Sequence, residues 1–172
     1  MSTLAPRLAR YRWLLALASS VLALDQFTKL WIASSLPFNT YGEPGHIEVV
    51  PGFFNLVHVG NTGAAWSVLT DQTGLLSLLA LVALGAIFWF RRHLGLERRP
   101  VQIAFGLLCG GIVGNLVDRV AYGHVVDFLD FHFGDYIYPT FNVADSGIVS
   151  GVALYALLTF RQPQPEKAPE KD

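Results

Sequence analysis

Between Gly123 and Ser146 the chain reads GHVVDFLDFHFGDYIYPTFNVADS, and four aspartates, Asp127, Asp130, Asp135 and Asp145, lie there between two strongly apolar segments. Carboxylates in such surroundings are costly unless they are paired or protonated. If VVDFLDFHF is extended, alternation puts Val125, Asp127, Leu129, Phe131 and Phe133 on one face and Val126, Phe128, Asp130 and His132 on the other. Asp127 then shares its face with apolar side chains, and desolvation favours its neutral form. Asp130 beside His132 reads as a solvated rim residue, and Asp135, in Gly134-Asp135-Tyr136, as a turn residue. Asp145 has another setting: Asn142 can cap a helix, which places Asp145 in its first turn, where the helix dipole favours the charged carboxylate. A plain capping-box acid would sit in the same place. One carboxyl biased neutral and one biased ionised at the same boundary separates a general acid from a general base. Such a pair can direct a water against an amide without a covalent intermediate.

Other chemistry is less well provided for. Ser146 has no suitably placed histidine or lysine, and His46, His58, His124 and His132 lack an HExxH-like spacing, although a His124, Asp127, His132 metal site stays an alternative. Three polar clusters share the boundary: Asp25 with Lys29, Asn61-Thr62-Gly63-Ala64-Ala65, and Asn115 to Arg119. Asp25 and Lys29 are four apart in the order that favours an ion pair on a helix, and they could simply neutralise each other. Arg119, beside Asp118, is the only basic residue of its loop and could donate to substrate carbonyls or orient the loop.

The elements that must hold these groups are membrane helices. Hydrophobic residues make up 52% of the 172-residue chain and charged residues 15%, more apolar than a soluble core requires. Apolar runs predict an all-α membrane protein with four spans near 13–32, 75–90, 101–117 and 143–160. Basic residues concentrate in the N-terminus, the middle connection and the C-terminus, whereas 33–74 has none and 118–142 only Arg119. The positive-inside rule then puts both termini in the cytoplasm and the two carboxylates near the outer face. A secretory signal peptide ending near Ala33-Ser34-Ser35 is the rival reading, opposed by Asp25 and Lys29 directly after the apolar stretch.

The outer segment 33–74 predicts a small sheet, with a turn at Pro51-Gly52 between HIEVV and FFNLVHV. Phe53, Phe54 and Trp66 are its expected interfacial anchors, and Leu36-Pro37-Phe38 an interfacial stretch. Gly110 with Gly114, and Gly147 with Gly151, predict close packing of spans three and four. Cys109, the only cysteine, reads as a small core residue. The chain is expected to be a single integral membrane domain over 1–161 with a disordered cytoplasmic tail over 162–172. From the residues alone, hydrolase, proton-coupled carrier and non-catalytic scaffold all stay open, the paired acids favouring the first.

The motifs LDQFTK, NTGAAWS, GGIVGNLVDR, GHVVDF and PTFNVADS, in this order and with these spans between them, resemble those of the bacterial lipoprotein signal peptidase (signal peptidase II) family. The likeness covers nearly the whole chain up to the tail, and departs at Tyr138, where the family often has tryptophan or phenylalanine before the proline. It implies an aspartic endopeptidase that cuts diacylglyceryl-modified prolipoproteins on the amino side of the lipidated cysteine, in the bacterial inner membrane. It also implies that Asp127 and Asp145 form the catalytic dyad, and that Asp25, Lys29, Asn61, Gly111, Asn115, Asp118, Arg119, Asn142 and Ala144 support it or bind substrate. No metal, cofactor or nucleic acid is expected, membrane lipid is an expected partner, and the enzyme is expected to be a monomer.

Overall fold

The computed structural model describes residues 9–41, 45–64 and 68–161, so Trp66 and the tail lie outside the described residues. The elements in order are α1 (Arg12–Ser35), β1 (Ile47–Val50), β2 (Phe54–Asn61), α2 (Thr73–Trp89), α3 (Arg99–Tyr122), β3 (Val125–Phe133), β4 (Tyr136–Ile137) and α4 (Val143–Phe160). Helices α1, α3 and α4 are long and apolar enough to cross a membrane, while α2 is a shorter apolar helix of 17 residues. Large apolar side chains point outward along the helices, among them Phe27, Trp31, Leu81, Phe88, Val149 and Val152. Such a surface suits lipid, because only hydrogen-bonded helices can present it there without orphaned backbone.

Helix α3 is the middle of the bundle and touches α1, α2 and α4. Its glycines make this possible, but they serve two neighbours. A Cβ at Gly106 would fall 2.9 Å from Leu17 and one at Gly110 2.7 Å from the Ala18 carbonyl oxygen, both on α1. A Cβ at Gly111 would run into the Ala144 carbonyl oxygen of α4, and Gly147 and Gly151 of α4 lie against Leu107 and Ala104 of α3. The expectation that Gly110 joins spans three and four is therefore corrected. A four-residue step keeps Gly106 and Gly110 on one face, and a step of one, to Gly111, turns to the next helix.

Helix α3 also runs five residues past the expected end of its span. Asp118 and Arg119 stay helical because their side chains find partners within the bundle, and Gly123, at φ +76°, ends the helix by donating its N–H to the Arg119 carbonyl.

The four strands form one antiparallel sheet in the order β1-β2-β3-β4. Pro51-Gly52 makes the expected turn: Gly52 has φ +66°, and Phe53 N–H reaches the Val50 carbonyl at 3.0 Å. Gly134 and Asp135 form the tight β3–β4 turn, flanked by the Phe133–Tyr136 pair. Between the pairs Leu56–Leu129 and Val59–Asp127, β2 uses three steps to β3's two, a bulge at Val57 and His58. Ile32 and Leu36 of α1 pack on Val126 and Phe128 of β3, fixing the sheet to the bundle. At the far end of α3, Leu96, Val101 and Phe105 form a second apolar cluster with Tyr11 and Tyr155 around it.

Candidate active site

Asp127 comes from β3 and Asp145 from the first turn of α4, and Asn142 joins them. Asn142 is the N-cap of α4: its side-chain oxygen accepts from Asp145 N–H at 2.9 Å while its own N–H donates to Asp145 Oδ2 at 3.2 Å, a complete capping box. With the oxygen so committed, the Asn142 amide hydrogens turn the other way, to Asp127 Oδ1 at 2.7 Å and, more distantly, to Asn115 Oδ1 and the Val126 carbonyl. One side chain thus starts the last helix and holds the other carboxyl.

The second oxygen of Asp127 accepts from Asn61 Nδ2 at 2.8 Å. Asn61 ends β2, and its own side-chain oxygen takes the Gly63 N–H at 2.9 Å, which aims its amide hydrogens at Asp127. The carboxyl is only 2% exposed. Burial, then the charge of Asp145, pushes its pKa up from 3.8 to about 7, against the opposing pull of Asn61, Asn142 and Lys29. Asp145 Oδ1 accepts from Asn115 Nδ2 at 2.7 Å.

Beneath the pair lies a fully satisfied ionic cluster. Lys29 Nζ donates to Asp25 Oδ2 at 2.9 Å, Asp118 Oδ2 at 2.8 Å and Asn115 Oδ1 at 3.0 Å, using all three of its hydrogens. Lys29 is 3% exposed, and Asp25 and Asp118 are wholly buried. The carboxylates also reach outward: Asp25 Oδ1 takes the Ala144 N–H at the start of α4 at 2.9 Å, and Asp118 Oδ2, the oxygen that meets Lys29, also takes the Val126 N–H of β3 at 3.1 Å. Asp25 and Lys29 are thus more than a self-neutralising interfacial pair; they bind α1, α3, α4 and β3 at the point where Asn115 holds Asp145. Gly111 and Ala144 belong to the same junction, since the close approach of α3 and α4 there needs a hydrogen at 111.

Arg119 donates from Nη2 to the Gly63 carbonyl at 2.8 Å, and its buried Nε has no partner among the described residues. Gln26, which the sequence did not single out, bridges Asp118 Oδ1 at 2.9 Å, Asp25 Oδ2 at 3.2 Å and the Gly114 carbonyl at 3.3 Å. Its signal was its place next to Asp25 and three residues before Lys29 on α1.

Asp130 is a correction. It is 6% exposed rather than a solvated rim residue, and its Oδ2 meets His132 Nε2 at 2.6 Å and Asn55 Nδ2 at 3.3 Å. Its cross-strand partner on β2 is Asn55, and that side chain together with His132, two residues along on the same face, covers the carboxyl that alternation alone leaves to water. The three residues of the alternative metal site do not converge: His132 is engaged with Asp130, His124 packs on Phe38 and Tyr122, and Asp127 is held by the two asparagines.

Asp127 and Asp145 line a common open cavity of about 900 Å³, with Asn61, Asn115 and Arg119 on its wall and Tyr41, Thr140 and Val149 along its rim. Burial raises the Tyr41 hydroxyl's pKa, as do the charges of Asp127 and Asp130, while a hydrogen bond with Thr140 opposes them. Lipid-facing helices, with a buried carboxyl from the sheet and a half-buried one from the start of α4 on one large cavity, define an integral membrane protein equipped for acid–base chemistry.

Comparison with known proteins agrees. The family model described as signal peptidase (SPase) II matches residues 17–161. A lipoprotein signal peptidase of Aeromonas hydrophila is 44% identical, over 88% of this chain and 89% of that protein, and one of Vibrio cholerae is 42% identical, over 93% of each. Two solved structures, each described as a bacterial membrane enzyme determined by the in meso method, superpose with TM-scores of 0.75 and 0.73 at 33% and 31% identity. They cover 90% and 87% of this chain and 94% of each of theirs. The chain belongs to the signal peptidase II family, a family of aspartic peptidases, and is a multi-pass membrane protein.

Proposed function

We propose that this enzyme removes the signal peptide from prolipoproteins by an aspartic mechanism run by Asp127 and Asp145, cutting on the amino side of a diacylglyceryl-modified cysteine. The observation that carries the reading is the single residue Asn142 joining two carboxyls on the wall of one large cavity: its side-chain amide donates to Asp127 and its backbone N–H to Asp145. Asp127, with its pKa near 7, is the protonated partner. Asp145, held by the Asn115 amide and the Asn142 N–H at a helix N-terminus, is the ionised one.

Asp145 takes a proton from a water whose oxygen attacks the scissile carbonyl carbon, while Asp127 gives its proton to the carbonyl oxygen. The resulting gem-diol collapses as its hydroxyl proton returns to Asp127 and the proton on Asp145 passes to the leaving amine. The C–N bond breaks, and both groups are back in their starting states. Arg119 and Asn61 position the rim loop and the acid, and Asp25, Lys29, Asn115 and Asp118 keep the α1–α3–α4 junction rigid.

In this reading α2 is a fourth span. At 17 residues it is about 26 Å long, short of the ~30 Å hydrocarbon core, so the bilayer thins around it. Both termini face the cytoplasm and the sheet and cavity face outward, a placement that the distribution of arginine and lysine supports. A signal peptide is itself a span ending at this boundary, and its lipidated cysteine keeps the scissile bond at the depth of the carboxyls. Tyr41, on the outer segment at the cavity rim, covers the bound lipopeptide. The enzyme works as a monomer.

The test is cleavage of a diacylglyceryl-modified lipopeptide and its unmodified twin by wild type, Asp127→Asn and Asp145→Asn. Wild type should cut only the lipidated peptide, and each folded variant should be inactive. Activity surviving either substitution would sink the dyad.

A further inference from the structure

A second cavity, of about 210 Å³, lies on the other side of the ionic cluster, where α1, the end of α3 and the sheet meet. Its walls include Gln26, Phe38, His58, Asp118, Tyr122 and His124, and none of its aromatic residues takes part in the chemistry above.

The hydrogen-bond inventory decides what it can hold. The charged and amide donors on its wall are spent, since Lys29 uses all three hydrogens within the cluster and the Gln26 amide hydrogens go to Asp118, Asp25 and the Gly114 carbonyl, while the Tyr122 hydroxyl and the His124 ring can each accept as well as donate. Acceptors are left over. His58 is buried and its Nδ1 lies 3.0 Å from the Leu36 carbonyl oxygen, which can only accept, so Nδ1 is the donor and Nε2 of the neutral ring is left as an acceptor. That Nε2 has no hydrogen-bond partner among the described residues, and neither has the Gln26 side-chain oxygen. The adjoining cluster of Asp25, Asp118 and Lys29 carries one net negative charge. Aromatic rings complete the lining: Phe38 stands edge-on to His58 at 5.2 Å and tilted to His124 at 5.1 Å, and Tyr122 is 6.2 Å from His124. Acceptors, a net negative wall and π faces attract a compact cation that donates hydrogen bonds, and repel phosphate or carboxylate.

We propose that this cavity binds a primary ammonium group, supplied by an amine-bearing phospholipid headgroup such as phosphatidylethanolamine or by a free amine of the same chemistry. The lipid source is favoured by exposed Leu30, Phe38 and Tyr122 on its lining, which put its mouth on the lipid-facing surface. The ammonium donates to His58 Nε2 and the Gln26 oxygen beside the aromatic rings. Because Asp118 and Lys29 form the floor, the bound headgroup braces the cluster that holds Asn115 against Asp145.

Full-length protein would be reconstituted in nanodiscs of equal parts phosphatidylethanolamine, phosphatidylcholine and phosphatidylglycerol, and the lipids retained on release would be counted by native mass spectrometry. Wild type should enrich phosphatidylethanolamine about tenfold over the other two, the equivalent of ~1.4 kcal/mol. His58→Phe, which keeps the ring and loses the acceptor, and Ala33→Phe, an exposed position whose new ring fills the mouth, should each abolish the enrichment. Preference for phosphatidylglycerol, no preference, or a preference that survives Ala33→Phe overturns the proposal. Millimolar ethanolamine added to detergent-solubilised protein separates the sources. Displacement of retained phosphatidylethanolamine supports a lipid occupant competing through its amine. A rise in Tm with ethanolamine, with no phosphatidylethanolamine retained, assigns the site to a free amine.

Discussion

Replacing Asp127 by asparagine should abolish cleavage and at the same time reverse the protein's response to pH. The folded protein holds the Asp127 proton up to about pH 7, whereas the unfolded chain releases it near 3.8. Between those values the folded state binds more protons than the unfolded one, so this group's stabilising effect is complete below pH ~4, shrinks as pH rises and is gone above ~7. Roughly three pH units at 1.36 kcal/mol each amount to about 4 kcal/mol. Asparagine carries no such penalty, but it has its own cost. Asn61 and Asn142 both donate to residue 127, at 2.8 and 2.7 Å, and an amide there must turn a donor toward one of them. That costs about 1–3 kcal/mol at any pH. The variant should therefore be the less stable protein at pH 4 and the more stable at pH 8, with the difference between the two proteins swinging by about 4 kcal/mol. Unfolding in mixed micelles with increasing SDS, followed by tryptophan fluorescence from pH 4 to 9, measures the swing, and titrations elsewhere cancel in the comparison. A swing below ~1 kcal/mol, or one of opposite sign, would show that Asp127 is not held protonated by its surroundings.

Lys29→Met leaves two buried carboxylates without their cation and should cost about 3–5 kcal/mol in the same unfolding assay; adding Asp25→Asn and Asp118→Asn should recover part of the loss, and strict additivity would argue against a coupled cluster. Gly111→Ala drives a methyl into the Ala144 carbonyl and should cost about 1–3 kcal/mol and depress kcat, because α4 carries Asp145; unchanged kcat would mean that the α3–α4 spacing does not set the dyad. Asn142→Ala removes both a cap worth about 1 kcal/mol and a hydrogen bond that favours ionised Asp127, so the alkaline limb of the pH–rate profile should move to higher pH, and a shift to lower pH would contradict the proposed acid.

Local chemistry was readable in the sequence where a few neighbouring residues decide it. Asn142 and Asp145 spell a capping box within four positions, Pro51-Gly52 spells its turn, and the apolar runs mark the helices to within a few residues. What escaped depends on distant register. Alternation along β3 could not reveal that pairing with β2 sets Asn55 opposite Asp130, where it and His132 enclose the carboxyl. Nor could the Asp25–Lys29 spacing foretell Asp118 and Asn115 as further partners of the same ammonium, since those lie nearly ninety positions away on α3. The glycines showed that helices approach closely without naming which ones. Asn61 reaches Asp127 only because the bulge in β2 sets the pairing beyond it, and no periodicity in the chain announces a bulge.

The position of Asn142 at the start of the last helix has a bearing on how the enzyme is made. Three helices and the sheet precede it in the chain, so a nascent protein carries Asp127 well before it carries Asp145 or the amide that links them. Until the final segment inserts and its Ala144 N–H meets Asp25, the paired acids do not exist. A peptidase arranged in this order stays inert during its own synthesis, when it is itself a string of membrane segments beside an insertion site crowded with other proteins' signal sequences, and its activity arrives only with completed assembly.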